Sequence, residues 1–206
     1  MIDKIGNLEL NFHLFRDDTN FMKTKDITFE INLETSAQGL LGLLGIKAGA
    51  KISGTWEVTQ VQQKAAWDMY VELVTRITTI EIRPEEGLLR EALTSLYKLF
   101  DITREILHKY GPDVSKPTGQ DRLSFGYIAI LILNRLIRPL LSKWHPLLLD
   151  YENKKTHNVS PLEHEKAWNK NEELRNELNR IKPILTQYTS ILAKAARVPE
   201  IHAMTQ

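Results

Sequence analysis

Residues 123–151 constrain the fold more than any other stretch of this chain. They are strongly apolar, yet their middle reads Asn134-Arg135-Leu136-Ile137-Arg138-Pro139-Leu140-Leu141-Ser142-Lys143-Trp144-His145-Pro146. A free helix in water does not carry that much apolar surface, so the segment predicts a central helix buried nearly all round within a bundle. Its uninterrupted apolar run, residues 125–133, is about half of the roughly 20 residues a spanning helix needs, and no membrane span is expected.

The rest of the chain reads as two regions that change period near residue 58. Before it, Leu8, Leu10, Phe12 and Leu14 alternate with polar residues, as do Ile27, Phe29, Ile31 and Leu33, and then Ala48, Ala50, Ile52, Gly54, Trp56 and Val58. Period two marks half-buried strands, and the three together predict a small antiparallel three-stranded β-meander. Gly39-Leu40-Leu41-Gly42-Leu43-Leu44-Gly45 lies between the last two strands and lacks the spacing of a phosphate-cradling loop. It reads as a short helix or close crossing, or else as an exposed apolar flap.

After residue 58 the period becomes helical. Thr59 can cap a first helix with the stripe Val61, Ala66, Met69, Tyr70, Leu73, Val74 and Ile77, with Glu72 and Arg76 spaced to pair; beyond about residue 77 the β-branched run could turn into a strand. Pro84 opens a second helix, whose stripe Leu89, Leu93, Leu96, Phe100, Thr103, Leu107 and Tyr110 stops at Gly111-Pro112. Asp121 is the expected cap of the third, apolar helix. Ser160-Pro161-Leu162-Glu163 is a capping box for a fourth, which continues through Leu174, Leu178, Ile181, Leu185, Tyr188 and Leu192 to about Arg197, with a kink at Pro183. The expected fold class is therefore α+β, mainly α: a four-helix up-and-down bundle over residues 59–198, the meander at 1–58 packed on it, and a tail at 199–206.

Composition narrows the function classes. The chain has 206 residues, no cysteine and a formal net charge of +1. Near-neutral charge supplies no field to draw nucleic acid, which is not the expected partner. Absence of cysteine fits a reducing compartment, and Met1-Ile2-Asp3-Lys4 does not begin a signal-peptide pattern, so a cytoplasmic protein is expected. No nucleophile elbow, His-Glu-x-x-His, calcium loop or phosphate loop occurs. His157, Glu163, His164 and Glu165 are the nearest approach to a metal cluster, but they read as solvated residues at a helix start. The single Glu105/His108 pair falls short of a di-metal site. No cofactor or metal is expected.

The third helix carries the candidate site. Arg135, Arg138, Ser142 and His145 fall at steps of three and four, so they form one polar line on an otherwise apolar rod, with Asn134 adjacent and Lys143 and Trp144 flanking its end. Pro139 within the line predicts a bent or interrupted helix whose opened backbone faces the same side as the arginines. Such an edge suits an anion or an acidic partner. Alternatively, Arg135 and Arg138 pair with Glu91 or Glu105 of a neighbouring helix and fix its register. Trp56, Trp67, Trp144 and Trp168 read as core plugs, and residues 162–180 as an overhang able to form an oligomer seam.

Three stretches, Gly54-Thr55-Trp56-Glu57-Val58, Glu86-Gly87-Leu88-Leu89-Arg90-Glu91-Ala92-Leu93 and residues 136–146, give a chain that resembles small bacterial helical-bundle proteins accompanying anti-phage and related conflict systems. The resemblance spans roughly residues 50–165, and none of its motifs is catalytic. It implies a non-enzymatic component working beside a larger effector or sensor. The expectation is thus an intracellular protein-interaction or regulatory module that binds a protein partner or itself, with Arg135, Arg138, Ser142, Lys143, Trp144 and His145 as contacts. A sensor of a small phosphate-bearing ligand at the kinked third helix is the alternative.

Overall fold

The computed structural model describes residues 25–32, 51–76 and 87–200. The expected strand at residues 8–14, the glycine-leucine segment at 39–45, Pro84 and the stretch after residue 76 lie outside them. Strands β1 (Lys25–Asn32) and β2 (Lys51–Val58) precede helices α1 (Gln60–Val74) and α2 (Leu89–Tyr110). A two-residue strand β3 (Arg122–Leu123) then leads into the long helix α3 (Phe125–Glu152), followed by the short α4 (Pro161–Lys166) and by α5 (Asn171–Ala196).

The described strands form a mixed sheet in the order β1-β2-β3, not an antiparallel meander. β1 and β2 pair antiparallel with Ile27 opposite Trp56 and Ile31 opposite Ile52, so the apolar residues of both strands share one buried face. β3 joins parallel to β2 with Leu123 opposite Trp56. Two residues are too few to show any period, which is why this strand reads as loop in the sequence. Gly54 makes room for it: a Cβ there would stand 2.7 Å from Leu123 Cδ1. The sheet packs on α5 through β1.

Helix α1 starts at Thr59, whose Oγ1 accepts from Gln62 N at 3.3 Å, and buries Ala66, Met69, Tyr70 and Leu73 against α5. The i,i+4 pair Arg76–Glu72 closes at 2.6 Å. Trp67 is the exception among the tryptophans: it is 43% exposed, not a core plug. Gln62 ties three elements together from a fully buried position. Its carbonyl oxygen accepts from the Trp56 indole and, at 3.2 Å, from Phe125 N, while its amide donates to the Lys116 carbonyl at 3.1 Å. One side chain therefore satisfies an orphan N–H at the start of α3 and fixes that start against the sheet.

Ser124, not Asp121, caps α3, its Oγ accepting from Tyr127 N at 3.3 Å, whereas Asp121 stands in the turn before it at φ 60°. Gly126 sits in the first turn of α3, where a Cβ would lie 2.0 Å from Ser115 Oγ and 3.1 Å from Ser115 Cα. Gly126→Ala should accordingly destabilise the fold by about 1–3 kcal/mol in urea titration, with partial recovery on adding Ser115→Gly.

Phe125–Glu152 is long and apolar enough to cross a bilayer, but 56% of its most apolar stretch is buried against the rest of the chain, as in the core helix of a globular protein. It is not sheathed all round, since Tyr127, Ile130 and Leu149 are exposed. The predicted interruption is present as a π-helical turn over Leu133–Ile137, where Arg138 N–H reaches the Leu133 carbonyl. The α-helix resumes at Arg138, and Pro139 beside it has no N–H to donate to either the π or the α ladder.

The expected fourth helix is two. Ser160 and Glu163 form the capping box of α4, but the chain breaks after Lys166 and restarts at Asn171. Trp168 causes the break by turning inward: it packs edge-on to Trp144 at 5.9 Å and stacks on Tyr151 at 5.4 Å. The Glu165 carbonyl at the break accepts from Trp168 N at 3.1 Å and from Asn171 Nδ2 at 2.8 Å. The described residues thus make five helices with a mixed sheet, in place of four helices running up and down.

Candidate functional site

The polar line of α3 divides when the helix is built. Arg138, Ser142 and His145 face α2 across a cleft of about 520 Å³, whose other lining residues are Tyr97, Phe100, Arg104, Leu141 and Pro146. Arg135 is exposed outside that lining. Lys143 and Trp144, one residue further round, point toward α5. There Trp144 is fully buried with its indole N–H on Glu177, and Lys143 Nζ lies 2.7 Å from Glu177 and 3.0 Å from Glu173. A residue step of about 100° on a helix turns the two groups toward different neighbours, α2 for one and α5 for the other.

Arg138 is held without being neutralised. Its Nε donates to Asn134 Oδ1 at 3.0 Å, and the guanidinium lies 5.1 Å from the centroid of the Phe100 ring. No carboxylate among the described residues pairs with it, so the expected ion pair with Glu91 or Glu105 does not form. With Nε occupied by Asn134, the two terminal nitrogens remain as a preset fork for an oxyanion. Across the cleft Arg104 is already paired with Asp101. Tyr97, 53% exposed, leans against Phe100 at 6.3 Å and against the edge of His145 at 5.8 Å.

His145 is held in the wall of the cleft by its neighbours. Arg90 Nη1 lies 3.0 Å from its Nδ1, and because a guanidinium only donates, Nδ1 accepts and Nε2 carries the proton. Nε2 is itself buried and makes no well-formed hydrogen bond among the described residues, the Leu93 carbonyl acting on the ring only from outside good geometry. Arg90 is fixed in turn by a two-pronged ion pair with Glu152, at 2.6 Å from Nη2 and 3.0 Å from Nε. Burial and, next, the Arg90 charge hold the imidazole below its usual 6.5, with the Leu93 carbonyl and Glu152 pulling the other way. The folded chain therefore binds fewer protons here than the unfolded chain once the pH drops below about 6.5. Stability should fall with acidification through that window, and His145→Gln should flatten the fall in urea midpoints measured between pH 7.5 and 5.5.

The second expected cluster becomes something different. Glu165 is buried, not solvated, and its two carboxylate oxygens accept from Leu89 N at 2.9 and 3.0 Å, capping α2 from another helix. Arg175, also buried, stands 3.7 Å from it and donates to Asn171 Oδ1 and the Gly87 carbonyl. Glu163 is in the capping box, and His164 stacks on Tyr151 at 4.2 Å with Nε2 on the Tyr151 carbonyl. No group of metal-binding side chains occurs among the described residues.

Sequence reasoning missed Tyr97, Arg104, Arg90 and Glu152. Tyr97 and Arg104 each stand one residue past the core stripe of α2, beside Phe100 on its edge, a line that the sequence shows; the Arg90–Glu152 pair is 62 residues apart and leaves no local trace. Comparisons with protein-family models, curated proteins and solved structures give no match.

Proposed function

We propose that this chain is a non-enzymatic regulatory binding module and that the α2–α3 cleft is where it senses a small anionic ligand. The observation that carries the reading is Arg138: an exposed arginine held by Asn134 through Nε and by the Phe100 ring, and lining a concave, aromatic-walled space. Preset donors of this kind bind an oxyanion with little ordering cost. A contact surface built on Lys143 and Trp144 is less well supported, because α5 already occupies both.

Catalysis finds no support in the same cleft. Ser142 would need a base, and His145 has Nδ1 engaged by Arg90 and Nε2 buried. The place of the module beside a larger companion, as an accessory component of a bacterial defence system, is carried by the resemblance of the three stretches. A cytoplasmic setting is carried by the cysteine-free composition. Isolation of the native protein with its bound companions tests that part; recovery of the chain alone, unassociated with itself or another protein, counts against it.

Thermal unfolding in a panel of nucleotides and simple organic phosphates tests the site. At a hundred times its dissociation constant a ligand stabilises by about 2.7 kcal/mol, which raises the midpoint of a chain this size by roughly 5–10 °C. Arg138→Gln should abolish the rise while changing the unliganded stability by no more than about 0.5 kcal/mol, as for an exposed substitution. An equal rise in the variant removes Arg138 from the site.

A further inference from the structure

We infer that the cleft takes a planar ring carrying one terminal phosphate, an aryl or heteroaryl monophosphate, and takes it without a metal ion. This rests on the reading of the cleft as an anion site and names its ligand class. Charge carries the first part. Of the two arginines lining the cleft, Arg104 is paired with Asp101, which leaves Arg138 as the uncompensated cation. A triphosphate would bring three or four negative charges against about one positive charge at close range, a poor balance in any partly desolvated site. Among the described residues no carboxylate lines the cleft to hold the magnesium that di- and triphosphates bring with them.

Shape carries the second part. Phe100 is covered by Arg138, but the neighbouring Tyr97 ring is exposed over the cleft, and Leu141 and Pro146 complete an apolar floor for a flat group. The volume, about 520 Å³, falls within the range of small-molecule sites. Pro146 has no N–H, so the Ser142 carbonyl on the lining turn lacks the donor a helix supplies four residues on. Two sources offer this chemistry, a free nucleoside monophosphate and a phosphotyrosine side chain.

Calorimetric titration of the full chain should compare inorganic phosphate, phenyl phosphate, adenosine monophosphate, a phosphotyrosine pentapeptide, and adenosine triphosphate with magnesium. Phenyl phosphate should bind about tenfold more tightly than inorganic phosphate, the gain expected from stacking one ring. Adenosine monophosphate should bind at least as tightly as the triphosphate. Tyr97→Ala, an exposed position, should remove the ring gain and leave inorganic phosphate unchanged, with the unliganded melting point confirming that the variant is folded. Equal binding of phosphate and phenyl phosphate, or preference for the magnesium triphosphate, overturns this inference and leaves the anion-site reading standing. If no probe binds, both fall. Whichever of the peptide and the nucleoside monophosphate binds more tightly assigns the source.

Discussion

Glu165→Ala should cost about 3–5 kcal/mol, the range for breaking a buried ion pair from one side, and lower the melting midpoint by roughly 6–20 °C. Three losses coincide at this position. The N-terminus of α2 loses the carboxylate that both its oxygens bring to Leu89 N, and α2 has no side-chain cap of its own at Leu88. Arg175, itself buried, loses the carboxylate 3.7 Å away, although it retains Asn171 and the Gly87 carbonyl. The joint between α4 and the start of α2 also loses its polar tie.

The pH dependence of the same group has a definite sign. Burial raises the Glu165 carboxyl above its ordinary value, against the Leu89 and Arg90 N–H groups and Arg175. The folded chain then holds this proton to higher pH than the unfolded chain, so its contribution to stability declines as pH rises from about 4.5 through the folded value. A urea series in which the wild type and Glu165→Gln show identical slopes across that window would contradict the buried placement.

What could be read from the sequence was local. The alternation of Ile27, Phe29 and Ile31, the caps at Thr59 and Ser160, the stop at Gly111 and the interruption before Pro139 all depend on a few adjacent residues, and all recur in the structure. What could not be read depended on partners far along the chain. β3 exists because Gly54 leaves space for Leu123, and the break after Lys166 exists because Trp168 finds Trp144 and Tyr151. The candidate site divides along the same line. A helical wheel puts Arg135, Arg138, Ser142 and His145 on one line, and the last three of them line the cleft, which the wheel itself does not show. It could not show that Glu173 and Glu177 of α5 take up Lys143 and Trp144, or that Asp101 takes up Arg104.

Trp144→Ala should rank with Glu165→Ala, at about 3–5 kcal/mol in a urea or thermal titration, because it empties the space of the larger aromatic at the α3–α5 joint. Trp144 has no solvent exposure, its ring meets Trp168 edge-on, and Lys143 Nζ lies 4.3 Å from its centroid. The same indole N–H serves Glu177, a buried carboxylate, so removal also leaves an acceptor short of its donor. Trp144→Phe separates the two effects: it keeps most of the volume and drops only the N–H, for an expected loss of about 1–3 kcal/mol. A contact residue would behave otherwise, weakening association while leaving the unfolding curve in place. An alanine variant whose midpoint moves by less than about 0.5 kcal/mol would return Trp144 to the surface, and with it the claim that α3 presents only its Arg138 side to a ligand would fall.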